Sequence, residues 1–205
     1  MVVALLLVLV SLVTESGSRL TQTPSFTAET FDSLVLQGIR AGVYPGAALV
    51  IGRHDTILFA KGYGRLTWGA ASPAASADST LWDLASLTKV VATTPALMLL
   101  VERGQVALDS PVVRYVPEFH GAGTSVITVR HLLTHTSGLR GTLPLREAAD
   151  SAAALRMVLT TTPVVPPGTR MVYSDLNAIL LGEIVRRVSG VARSEERRVG
   201  KECRL

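Results

Sequence analysis

Two short apolar runs, Ala47-Ala48-Leu49-Val50-Ile51 and Ile57-Leu58-Phe59-Ala60, flank a turn around Arg53-His54-Asp55, and they are the plainest strand signals in the 205-residue chain. Continuous rather than alternating apolar residues predict a β-hairpin covered on both faces. A two-stranded hairpin is marginal on its own and needs further strands or a packed helical layer. The hairpin therefore dictates what the remaining residues have to supply.

Almost everything else has a helical pattern. Phe26 to Arg40 places Phe31, Leu34, Val35 and Ile39 at helical spacing and stops at Gly42. A second helix is expected from Ser86 to about Glu102, with Val90, Leu97, Leu100 and Val101 on one face and Gly104 at its end. Pro95 lies inside it and should remove the hydrogen bond to the Val91 carbonyl, so a bend or break is expected there. Val129 to His135 follows a Thr128 cap, and Leu145 to Thr160 follows Pro144. Thr162 to Gly168 holds three prolines and reads as an extended connector. Ser174 to Val188 is amphipathic and should end near Gly190. The order of helix, hairpin and several helices asks for strands that this pattern does not contain.

Composition matters mainly for what it excludes. Hydrophobic residues make up 48% and aromatics only 5%, so the core must be built mostly from Val, Leu, Ile and Ala. Of the formal charge of +4, residues 193–205 hold five cations against three anions, which leaves the body near balance with no basic run. Nucleic acid is not an expected partner. The sole cysteine, Cys203, permits no internal disulfide and no thiolate metal site.

Both ends differ from the body. Val2 to Val13 is apolar except for Ser11 and is followed by the small residues Ser16 and Ser18. That is short for a membrane span and suits a secretory signal over residues 1–18, although no Lys or Arg precedes it; a buried first helix is the alternative. The expected location is periplasmic or secreted, with no stable membrane span. Residues 193–205 are charged and aperiodic, and they resemble translated sequencing-adapter sequence joined to a truncated reading frame, or else a short disordered tail. This leaves 19–192 for the domain.

Two clusters of residue types can carry chemistry. In Ser86-Leu87-Thr88-Lys89 the serine and lysine are three apart, on one helix face, so an unprotonated amine could take the hydroxyl proton. A helix N-terminus also favours developing negative charge at the serine. The competing reading makes Ser86 a cap and Lys89 a solvated side chain. Lys61 and Lys89 are the only lysines before the tail, and a lysine, unlike an arginine, can lose its proton when buried. In Tyr173-Ser174-Asp175 a phenol near a lysinium could have its pKa lowered enough to act as base, with Asp175 or Ser174 orienting substrate or lysine. Alternatively, Ser174 or Asp175 caps the helix and Tyr173 packs beneath it.

Together, Leu81 to Lys89 (L-W-D-L-A-S-L-T-K), Thr128 to Leu139 (T-V-R-H-L-L-T-H-T-S-G-L) and Tyr173-Ser174-Asp175 after Pro167-Gly168 resemble the serine β-lactamase-related family. That family includes class C β-lactamases, D-Ala-D-Ala carboxypeptidases and esterases. The hairpin preceded by Tyr44-Pro45-Gly46 also fits, and the likeness covers about residues 28–190. It implies an α+β fold of the β-lactamase/transpeptidase type, with a helical region against an antiparallel sheet. It further implies Ser86 as acylated nucleophile, Lys89 as proton partner, Tyr173 as base and Asp175 as a substrate-binding residue, with no metal and no cofactor. The substrate would be a β-lactam, a D-Ala-D-Ala peptide of the peptidoglycan kind, or a small ester.

Two departures qualify the likeness. Asp175 stands where many relatives carry Asn, and a carboxylate accepts hydrogen bonds without donating any. No Lys-Thr-Gly or His-x-Gly follows Tyr173, a motif that in the family lies on a late strand and supplies the second oxyanion donor. The expectation is an N-terminal fragment that lacks the C-terminal strands, with impaired turnover and folding. A penicillin-binding sensor or scaffold without turnover is the alternative function. His131 and His135, four apart, match a metal-hydrolase spacing, yet Leu132, Leu133 and Thr134 between them offer no Glu base and no third ligand is evident.

Overall fold

A computed structural model describes residues 27–190. The readings on residues 1–18, on Phe26 and on 193–205 lie outside them. The chain divides into two compact units, one up to Leu84 and one from Ala85.

In the first unit, helix α1 (Ala28–Arg40) packs against a hairpin of strands β1 (Gly46–Arg53) and β2 (Thr56–Gly64). α1 closes with paired bonds from Gly42 N–H to Ile39 O (3.0 Å) and Val43 N–H to Gly38 O (3.0 Å), a Schellman ending. Its Phe31 ring meets the Phe59 ring at 5.5 Å between centroids. Asp32 accepts from Lys61 Nζ and from Tyr63 Oη, both at 2.8 Å, which ties the helix to β2. Burial, then the Asp32 carboxylate, pushes the Tyr63 pKa up to about 12.

The strands pair antiparallel from Gly46↔Gly64 to Arg53↔Thr56, with an irregularity between Ile51 and Gly52. The hairpin thus lies where the apolar runs place it. Its expected double coverage is not found: Val50, Ile57 and Leu58 are exposed, because among the described residues the sheet has only these two strands.

The second unit is helical. α2 (Thr94–Glu102), α3 (Val129–Leu133) and α4 (Ser151–Leu159) pack around α5 (Asp175–Ser189). Their core includes Leu97, Leu100, Phe119, Ile127, Leu132, Leu180 and Ile184. α5 starts after Ser174 and ends on left-handed Gly190, as the amphipathic pattern and the glycine require. Thr128 caps α3 in a reciprocal box: its Oγ1 accepts from His131 N–H, and His131 Nδ1 accepts from Thr128 N–H.

Two expected helices are broken, each for a local reason. The Ser86–Glu102 stretch is a 3₁₀ turn (Ala85–Leu87), a π turn (Lys89–Thr93) and then α2. The Lys89 carbonyl accepts both the backbone N–H of Thr94, five residues on, and its hydroxyl at 2.8 Å. This slip in register puts Pro95 in the first turn of α2, where its missing N–H leaves no intrahelical bond unmade. Val90, expected on the buried face, is exposed. Ala85–Glu102 is long and apolar enough to cross a membrane by length and composition only, and Leu97 and Leu100 within it are buried.

Leu145 to Thr160, in turn, is a 3₁₀ turn (Leu145–Glu147) followed by α4. Between them Ala148 is extended, and Asp150 starts a new helix by accepting Ala153 N–H at 2.6 Å. α3 also stops short of His135, which takes a left-handed φ of 55°.

The proline-rich connector 162–168 runs beside the segment after α3. Val164 N–H donates to Gly138 O, Gly168 N–H to Thr136 O, Val172 N–H to His135 O and Asp175 N–H to Gly141 O, all at 2.8 Å. These four bonds deliver Tyr173 to the start of α5.

Candidate active site

Ser86 sits in the 3₁₀ turn directly after Ala85, whose φ of 43° is unusual for a residue with a Cβ. Lys89 opens the π turn, and its Nζ lies 3.1 Å from Ser86 Oγ, so the three-residue spacing does bring amine and alcohol together. The same Nζ pairs with Asp175 Oδ1 at 2.8 Å and lies 5.0 Å from the centroid of the Tyr173 ring. Ser86, Lys89, Tyr173 and Asp175 therefore form one cluster, contributed by two stretches far apart in sequence.

The electrostatics change the assignment of roles. Burial pulls the Lys89 pKa down, but hydrogen bonds to Asp175 and Tyr173 outweigh it, and the result lies above the ordinary lysine value. The Asp175 carboxylate thus favours the lysinium over the unprotonated amine invoked from the spacing. The Tyr173 pKa moves the other way. Hydrogen bonding to Lys89, then to Ser86, lowers it, against burial and the charge of Asp175. The two shifts favour a lysinium at Lys89 and the ionised form at Tyr173.

Neither Ser174 nor Asp175 caps α5 through its side chain. Ser174 Oγ donates to Arg140 O at 2.7 Å, and Tyr173 is half exposed rather than packed beneath the helix. Asp175 still lies in the first turn of α5, where a negative charge is favoured.

Behind the phenol is a polar network that residue spacing did not reveal. The His135 ring lies 4.6 Å from the Tyr173 ring, and its Nδ1 faces Ser174 N–H at 3.2 Å and Asn177 Nδ2 at 3.0 Å. Asn177 is fully buried, and its Oδ1 accepts from Ser137 Oγ at 2.6 Å. Burial, then the nearby Lys89 charge, lowers the His135 pKa. The two histidines that suggested a metal are thus engaged separately, His131 in the α3 cap and His135 here. Among the described residues no group of three His, Cys, Asp or Glu could hold a metal ion.

The model of the Beta-lactamase family matches residues 31–202, and the chain belongs to that family. An esterase, EstB of Burkholderia gladioli, is 38% identical over 116 residues, covering 55% of this chain and 29% of the esterase. A putative D-alanyl-D-alanine carboxypeptidase of Escherichia coli O157:H7 is 31% identical over 183 residues, covering 78% of this chain and 41% of that protein. Among solved structures, an octameric penicillin-binding protein homologue from Pyrococcus abyssi superposes with a TM-score of 0.73 at 25% identity, over 84% of this chain and 42% of that one. The fold is accordingly α+β of the β-lactamase/transpeptidase type. The chain spans less than half the length of these relatives.

Proposed function

We propose that the chain carries the acylating half of a serine hydrolase that works through an acyl-enzyme, with Ser86 as nucleophile and Tyr173 as its base. The observation that carries this reading is the placement of one lysinium against the serine, the phenol and Asp175. The Tyr173 phenolate takes the Ser86 proton while Oγ bonds to the acyl carbon. The collapsing tetrahedral intermediate expels an alcohol, which receives that proton back from Tyr173. Water then attacks the ester by the same route and releases the acid, regenerating Ser86. The lysinium steadies the phenolate and keeps its proton affinity low.

Among the three substrate classes, small esters fit best. Asp175 presents an acceptor-only carboxylate where an amide would donate to a peptide or β-lactam side-chain carbonyl, so those substrates meet two acceptors face to face. The apolar run Val2–Val13 and the peptidase named among the relatives support a periplasmic or secreted setting.

The test exposes the chain to a fluorophosphonate, p-nitrophenyl acetate and a penicillin, with mass spectrometry of the product. Phosphonylation at Ser86, lost in Ser86→Ala and slowed about 10²-fold in Tyr173→Phe, is expected from a missing general base. A lasting penicilloyl adduct on Ser86 without ester turnover would instead establish the sensor reading. No modification of Ser86 by any reagent would refute both.

A further inference from the structure

We infer that His135 is the positioning residue for Tyr173: it grips the chain on both sides of the phenol and holds the ring against Lys89 and Ser86. The inference rests on the reading of Tyr173 as base. Its backbone carbonyl accepts Val172 N–H at 2.8 Å, and its Nδ1 faces Ser174 N–H at 3.2 Å, so residues 172 and 174 are both tied to one residue. The φ of 55° turns the carbonyl and the ring of the same residue onto this segment. The imidazole also lies against the Tyr173 ring at 4.6 Å.

The hydrogen-bond polarity of the network leaves the imidazole one state. Ser137 Oγ accepts from Leu139 N–H at 3.2 Å and donates to Asn177 Oδ1 at 2.6 Å. The Asn177 amide must then face His135 with its NH₂. Ser174 N–H, again only a donor, points at the same Nδ1. Two donors converge on one nitrogen, which must offer a lone pair, so the ring is neutral with its proton on Nε2. The charged and titratable groups around it are Lys89, Asp175 and Tyr173; the Lys89 charge acts in the same sense and the Asp175 charge opposes it. A histidine of this kind works as a fixed acceptor.

Two substitutions separate the acceptor from the ring. His135→Asn puts an amide oxygen where Nδ1 stands and tolerates a positive φ, whereas His135→Phe keeps a ring against Tyr173 and has no acceptor. The probe is a fluorophosphonate reacting with Ser86. His135→Asn should label within a few-fold of the unaltered chain and His135→Phe about 10²-fold slower, as expected for a misplaced catalytic group. A ¹³Cζ-tyrosine NMR titration supplies a readout independent of reaction: the Tyr173 pKa should stay low in His135→Asn and rise in His135→Phe.

Equal labelling and equal Tyr173 titration in a folded His135→Phe chain would overturn the inference. So would a folded His135→Asn chain whose Tyr173 titrates at the ordinary value, and that comparison stands even if the Phe variant does not fold. If Ser86 of the unaltered chain failed to label, the proposed function would fall, while the titrations would still decide the role of His135.

Discussion

Gly138→Ala tests how tightly the connector is bound to the segment that carries His135. At φ of +77° an alanine costs about 1 kcal/mol in backbone strain. Its Cβ would stand 2.0 Å from Val165 O, and ordinary van der Waals contact begins at 3.4 Å, so the connector backbone must retreat by more than an ångström. That movement breaks the 2.8 Å bond from Val164 N–H to Gly138 O and strains the one from Gly168 N–H to Thr136 O. Each is worth about 1 kcal/mol net, and more if a partner is left dry. The sum is about 3–4 kcal/mol, which for a domain of this size lowers the melting temperature by roughly 6–16 °C. Thermal denaturation followed by circular dichroism measures it. A folded Gly138→Ala chain melting within about 2 °C of the original would show that the four-bond register is not what holds the connector, since even one lost bond of about 1 kcal/mol should move it further.

Other outcomes follow from the charges. Lys89→Met removes the cation that lowers the Tyr173 pKa, so that pKa should rise and Ser86 labelling at neutral pH should fall as the phenolate fraction falls; a pH series of labelling rates checks both. Asp175→Asn removes a charge that raises both the Lys89 and the Tyr173 pKa, so both limbs of the pH–rate profile should move to lower pH. The same variant supplies an amide donor, and its rate with nitrocefin relative to p-nitrophenyl acetate should increase. Glu183, buried on α5 and bonded to Arg186 and Arg187, should cost about 2–4 kcal/mol as Glu183→Gln, measured by urea unfolding. The Arg186 hydrogen bond, against burial, depresses the folded Glu183 pKa. Its contribution is therefore present above the unfolded value of about 4.3 and is lost as pH falls through the lower folded one. A urea midpoint for Glu183→Gln that matched the original at pH 7 would contradict this.

What could be read in the sequence was local. The Thr128 cap, the Gly190 stop and the Ser86–Lys89 spacing each depend on neighbours within a few positions, and each is found in place. Pro95 announced a disturbance, but its form, a π turn upstream that spares the proline any lost bond, depends on Thr94 bonding back to Lys89. The split of residues 145–160 turned on whether Asp150 would continue a helix or cap a new one, which local pattern does not decide. The sequence left the charge state of Lys89 open, an unprotonated amine beside Ser86 or a lysinium beside Tyr173, because the carboxylate that sets it belongs to another helix. The role of His135 was hidden for a second reason: nothing in a residue that bears a Cβ announces a left-handed backbone.

The contacts running from residues 135–141 to residues 164–175 make the intervening stretch a side loop closed at its neck. Once such a neck is tied, lengthening the loop is cheap, about 0.6 kcal/mol for each doubling. Apart from Leu143, Leu145, Leu155, Val158 and Leu159, which pack on the core, the stretch from Thr142 to Thr162 is thus open to insertion while the phenol keeps its place.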